Sequence, residues 1–175
     1  MNYFQLFNIE ASFDVDIQEL SSSYQTLQKT VHPDKFAHSS EQEQRIAVQK
    51  SAQINDAYQT LKNPLHRAEY ILLQRGVEMP NEQHSFQDTG FLMRQMELRE
   101  MLEDVKFSSN VDAALADVQN ILSSEFSQLS QVLRTQISEN NAASNLAACD
   151  NLRKLKFYQK LNVEVDRLED SLFGD

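Results

Sequence analysis

The residues able to do chemistry in this chain are four histidines, one cysteine and many carboxylates. His32, His38, His66 and His84 are scattered and Cys149 stands alone, so there is no Cys-x-x-Cys pair or other compact ligand set. No metal and no cofactor are expected. A glycine-rich phosphate loop and a nucleophile elbow are both missing, and nothing points to convergent acid and base groups, so the chain is not expected to be an enzyme. Two arrangements remain. His32-Pro33-Asp34 sets two polar side chains around a proline. In residues 91–105, a helical turn of about 100° per residue sorts the apolar side chains into two groups. Phe91, Leu98, Met101, Leu102 and Val105 share the natural core stripe, whereas Leu92, Met93 and Met96 lie on another face with Glu97, Glu100 and Asp104. Exposed Leu and Met beside carboxylates suit a protein-binding surface, the thioethers giving adaptable contact and the acids selecting a basic partner. The same spacing also describes a helix buried on two sides.

The elements that must position these groups are helices. With 3 Gly, 3 Pro and no Trp in 175 residues, turn-rich β folds are poorly supported and an all-α fold is expected. Leu20, Tyr24, Leu27 and Val31 mark one face of a helix from about Asp16, which Pro33 ends near Val31 by restricting His32 and lacking a donor. A loop through Ser39 and Ser40 follows. A longer helix begins near Ser40, with Ile46, Ala47, Ile54, Ala57, Tyr58 and Leu61 as its apolar residues. Asn63-Pro64 then caps and starts another helix, which stops at Gly76. Residues 77–85 read as a connection between two units, 1–76 and 86–175. The second unit should hold three helices, near Phe86–Val105, Val111–Ser138 and Ser144–Leu172. In its middle helix Val111, Leu115, Val118, Leu122, Leu129, Val132 and Gln136 follow the spacing of a small antiparallel bundle.

Bulk properties narrow the partners. The net charge is -10, with 9 basic and 17 acidic residues after Gly76, which disfavours nucleic acid and favours a basic partner for the second unit. No stretch approaches the roughly 20 apolar residues that cross a bilayer, so no membrane partner is expected. The opening residues lack a secretory pattern, and a lone cysteine suits a reducing cytoplasm, the expected location.

Tyr3-Phe4-Gln5-Leu6-Phe7, His32-Pro33-Asp34-Lys35-Phe36, Ile54-Asn55-Asp56-Ala57-Tyr58-Gln59-Thr60-Leu61 and Asn63-Pro64-Leu65-His66-Arg67-Ala68-Glu69-Tyr70 together resemble a J domain. Adding Asp88-Thr89-Gly90-Phe91-Leu92-Met93-Arg94-Gln95-Met96-Glu97-Leu98-Arg99-Glu100 extends the match over nearly the whole chain, which resembles the HscB family of J-type co-chaperones. The resemblance implies an N-terminal J domain, an antiparallel hairpin with short flanking helices, followed by a C-terminal three-helix bundle. It implies that His32, Pro33 and Asp34 contact HscA, a DnaK-type chaperone, and promote its ATP hydrolysis. Asp34 could accept charge-assisted hydrogen bonds from a partner arginine; a purely local capping turn is the alternative. J domains generally carry several basic residues before the tripeptide. Here only Lys29 precedes it and Lys35 follows, which suits a dedicated chaperone, although both could be ordinary solvated charges.

The resemblance further implies that Leu92, Met93, Met96, Glu97, Glu100, Asp104 and Phe157 hold IscU, the iron-sulfur scaffold protein. The family pattern has leucine at Met96 and glutamate at Asp104. Phe157 fits a core role as well, because the last helix is apolar on several faces. The function implied is delivery of IscU to HscA with stimulation of its ATPase, in support of iron-sulfur cluster assembly and transfer. A general J-type co-chaperone for unfolded clients is the alternative; against it stands the lack of a Gly/Phe-rich linker and a cysteine-rich client module.

Overall fold

The computed structural model describes residues 1–79 and 88–174, and all regular structure among them is helical. The chain divides into two compact units, Met1–Val77 and Glu78–Asp175. Much of the connection expected over 77–85, and the start of the helix expected near Phe86, lie outside the described residues.

In the first unit, α1 (Tyr3–Leu6) opens with a capping box between Asn2 and Gln5. Asp16 caps α2 (Ile17–Val31) by accepting from the N–H groups of Gln18 and Glu19, and Ser40 caps α3 (Glu41–Lys62) by accepting from Glu43. Asn63 caps α4 (Pro64–Gln74), whose first position is the proline that needs no donor. Gly76, at φ +78°, ends α4 in a Schellman arrangement: its N–H bonds the Leu73 carbonyl and the Val77 N–H bonds that of Leu72. Between α2 and α3 the expected loop is partly ordered as a 3-10 turn, Pro33–Phe36. Pro33 supplies the fixed φ that starts it, and the Lys35 N–H returns to the His32 carbonyl at 3.0 Å.

The α2–α3 hairpin is closed by Leu20, Ile54, Ala57 and Leu61, all buried. Polar clamps fix its register. Gln28 donates to the Ser51 carbonyl at 3.1 Å and accepts from the Ser51 hydroxyl at 2.8 Å, while Tyr24 donates to Asn55 at 2.6 Å and stacks on Tyr58 at 4.1 Å. Tyr3 stacks on Tyr70 at 4.5 Å, which ties α1 to α4. Ile46, counted on the apolar side from sequence, is 42% exposed; its neighbour Ala47 takes the inward position, since adjacent helical residues point about 100° apart.

Sequence periodicity gave no warning of Arg67, which is almost fully buried in α4. Its Nε donates to the Leu61 carbonyl at 2.8 Å and its Nη1 to the Phe13 carbonyl, joining the end of α3 to the segment before α2. Burial lowers its pKa, and Asp14 acts in the opposite direction.

In the second unit, Asp88 caps α5 (Thr89–Asp104), which runs into a 3-10 turn, Val105–Phe107. α6 (Val111–Glu139) and α7 (Ala142–Phe173) are long and pack on each other; their junction uses Asn140 in the left-handed region, φ 47°, and Asn141 as the cap of α7. Phe91 and Leu98 of α5, with Val105 of the turn after it, meet Leu115, Val118 and Leu122 of α6 and Phe157, Tyr158, Leu161 and Val165 of α7. Met101 and Leu102 pack against this cluster. The stripe expected along α6 needs one correction. Val132 is 46% exposed, and Leu133 and Ile137 are buried instead. From Leu115 to Leu133 the helix makes about five full turns, so Leu133 returns to the face of Leu115. Gln136 does face α7, accepting from the Asn151 amide at 2.8 Å. Cys149 is buried, as expected of a core thiol.

Replacing Arg67 by Met keeps most of the volume but strands two buried carbonyls. It should lower stability by about 2–4 kcal/mol in chemical denaturation; an unchanged midpoint would show that these carbonyls find other partners.

Candidate functional site

The first candidate surface is the tip of the α2–α3 hairpin. His32 caps the end of α2 with extended geometry, φ -56° and ψ 131°, because Pro33 follows it. Its Nδ1 accepts the Asp34 N–H at 3.2 Å, which places the ring proton on Nε2. The Asp34 carboxylate, 3.6 Å from the same ring and with its side chain 93% exposed, is otherwise turned to solvent. The tip therefore offers an imidazole N–H donor and a carboxylate acceptor on a backbone that a proline and a 3-10 turn hold rigid. Gln44 of α3 anchors the base of the loop by donating to the carbonyls of Ala37 and Ser39 at 3.0 and 3.3 Å. Lys35 lies within the turn and Lys29 in the last turn of α2, both exposed.

The second candidate surface is the outer face of α5. Because the bundle takes Phe91, Leu98 and Val105, the opposite group stays in water: Leu92 is 37%, Met93 63% and Met96 72% exposed. Glu97, Glu100 and Asp104 are exposed on the same side, together with Glu103. Of the two readings open from sequence, burial on two sides is thus excluded for these residues within the bundle. Phe157 is different. It is 9% exposed, sits edge-on to Phe91 at 5.6 Å and to Tyr158 at 5.6 Å, and is covered by the Arg99 guanidinium at 5.6 Å from its ring. It belongs to the core that supports α5 and is not part of the exposed face, since the ring fills the space between α5 and α7.

Sequence inspection missed the polar groups that hold α5 in place. Arg94 donates Nε and Nη2 to one oxygen of Glu125 on α6, at 2.8 and 2.5 Å, and Nη1 to Glu97 at 2.8 Å. The other oxygen of Glu125 accepts from the Tyr158 hydroxyl of α7 at 2.7 Å. These contacts raise the Arg94 pKa above its ordinary value through Glu125 first and Glu97 second, while burial followed by Glu125 raises that of Tyr158. Asp88 adds a contact from the start of α5 to Lys154 of α7 at 3.0 Å, and Arg99 meets Glu164 at 3.1 Å. The only sequence signal for the network was the three-residue spacing of Arg94 and Glu97; its partners are more than 20 residues away.

Among the described residues, no group of three His, Cys, Asp or Glu side chains could hold a metal ion, and no helix is long and apolar enough to cross a membrane.

Comparison with known proteins agrees with both units. Residues 2–70 match the model of the DnaJ domain, and residues 87–166 match that of the HSCB C-terminal oligomerisation domain. The Co-chaperone protein HscB homolog of Colwellia psychrerythraea is 87% identical over the full length of both chains. That of Shewanella halifaxensis is 46% identical over 99% of each. Among solved structures, the chaperone HscB of Vibrio cholerae aligns with a TM-score of 0.93 and 48% identity, covering 98% of this chain and 100% of its own. The human co-chaperone HscB aligns with a TM-score of 0.87 and 28% identity, covering 97% of this chain and 82% of its own. With two family models spanning its two units and full-length relatives this similar, the chain belongs to the HscB family of J-domain co-chaperones.

Proposed function

We propose that the chain is an adaptor that binds the iron-sulfur scaffold IscU, brings it to the DnaK-type chaperone HscA and stimulates ATP hydrolysis there. The observation that carries this reading is the exposure of Leu92, Met93 and Met96 on a helix whose other apolar stripe is fully used by the bundle. Three large apolar side chains kept in water beside a row of acids fit a protein partner with an apolar ridge and basic groups. The J tip supplies the other half: a rigid acceptor, Asp34, that can take an arginine of the ATPase, with the His32 N–H beside it. In this reading His32, Pro33, Asp34, Lys29 and Lys35 meet HscA, and the outer face of α5 meets IscU. Phe157 acts from beneath, by fixing Phe91 and so the helix that carries the face.

Holding both partners on one chain raises the local concentration of scaffold at the chaperone when hydrolysis is triggered. No step of this requires the adaptor to make or break a covalent bond. Its contribution to iron-sulfur cluster assembly is then one of timing and placement, in a cytoplasmic setting.

Asp34→Asn preserves the size of the side chain and the backbone turn but removes the charge. It should abolish stimulation of HscA while leaving the helical circular-dichroism spectrum unchanged, and full stimulation by this variant would rule out the tip as the trigger. Met93→Ala combined with Met96→Ala should weaken IscU binding about thirtyfold in calorimetry, with little change in thermal stability, because each removes roughly 1 kcal/mol of contact made only in the complex. Unaltered affinity would move the contact to another surface.

A further inference from the structure

Phe107 is 79% exposed, and among the described residues only Met1 leaves more of a large apolar side chain in water. Single exposed apolar residues are ordinary on a protein surface. Phe107 is set apart by where it stands. It closes the 3-10 turn after α5, in which residues three apart eclipse, so it lies in line with Asp104. Asp104 is eleven residues beyond Met93, three full helical turns, and points within about 20° of the same direction. Phe107 therefore prolongs the outer line of α5 past its last carboxylate. The same line carries Met93 and Met96, two more of the most exposed apolar side chains.

The backbone that presents the ring is held on both sides. Val105 is buried in the bundle core, and its carbonyl accepts the Ser108 N–H at 3.1 Å. The Ser108 hydroxyl donates to the Asn110 carbonyl and accepts the Asn110 N–H, each at 3.1 Å, and Asn110 caps α6. With Val105 turned inward, successive steps of about 120° carry Lys106 and Phe107 out of the core. Lys106 places its Nζ 5.3 Å from the centre of the Phe107 ring, and the ring stays open to solvent beside it.

Resting on the assignment of the α5 face to IscU, we infer that Phe107 is a second apolar anchor for that partner, at the opposite end of the face from Leu92, Met93 and Met96. The contact surface is then apolar at both ends, with Glu100, Glu103 and Asp104 between them. Met96 and Phe107 are about 18 Å apart along the axis, so the surface that fits has basic groups flanked by two apolar contacts at that separation. Charge selects such a partner over a second copy of this chain, whose residues after Gly76 include 9 basic and 17 acidic side chains.

The chain contains no tryptophan, so Phe107→Trp in the full chain introduces a single reporter. On titration with purified IscU its emission, after subtraction of that of IscU alone, should shift to the blue and become shielded from acrylamide. Emission that is unmoved and fully quenched at saturation would overturn the inference. Shielding that grows with the concentration of the variant alone would give the site to a second copy and overturn it as well. In calorimetry, Phe107→Ala should weaken IscU binding about tenfold and Phe107→Leu should recover most of the loss. Leu146→Ala, which removes an exposed apolar side chain at the start of α7, should change binding by less than about twofold. Met96 and Phe107 are too far apart to touch, so the losses of Met96→Ala and Phe107→Ala should add. Full affinity in Phe107→Ala, with a loss in Met93→Ala/Met96→Ala, would remove the anchor and leave the assignment of the face standing. Full affinity in both would remove the assignment, and the anchor with it.

Discussion

A helix in a three-helix bundle can bury one stripe, and α5 carries two. Its Phe91 and Leu98, with Val105 just beyond its end, are taken by α6 and α7, which leaves Leu92, Met93 and Met96 in water. Each such side chain would contribute about 1.5–3 kcal/mol if fully buried, so the free chain forgoes stabilisation that a partner can supply. The orientation of α5 decides which stripe is spent. Asp88 to Lys154 at its start, Arg94 to Glu125 in its first half and Arg99 to Glu164 beyond hold it at three points along its length, with Phe91 and Phe157 interlocked between. These contacts hold the backbone of α5, which carries the outer face, against the bundle.

The J unit answers a different constraint. Its candidate surface is a turn, and turns are mobile unless the elements on both sides are fixed. Pro33 limits the local backbone, the Gln44 contacts hold the far side of the loop, and the Gln28–Ser51 and Tyr24–Asn55 clamps keep α2 and α3 in register just behind it. Arg67 joins the remaining segments through backbone carbonyls in place of a carboxylate. The result is a polar tip whose chemistry, one N–H donor and one exposed carboxylate, is delivered by position.

Much of this was legible in the sequence because it depends on local rules. Pro33, Asn63-Pro64 and Gly76 marked ends and starts that the helices respect, and the two faces of α5 followed from turning the sequence at helical pitch. What escaped was long range. The Arg94–Glu125–Tyr158 network and the buried Arg67 link residues distant in sequence, and no periodicity marks a charged side chain that is satisfied across helices. Phe157 could not be settled for a related reason: α7 has apolar residues on several faces, and only the position of α5 decides which of them is covered. The slip from Leu133 to Val132 along α6 shows that three-or-four spacing tolerates an error of one residue, which grows over a helix of 29 residues.

The central claim is that one chain couples two surfaces. It is tested most directly by steady-state ATP hydrolysis of HscA with this protein, with IscU, and with both together. The adaptor account requires that the two together stimulate hydrolysis by more than the sum of their separate effects; stimulation by this protein that is indifferent to IscU would contradict it.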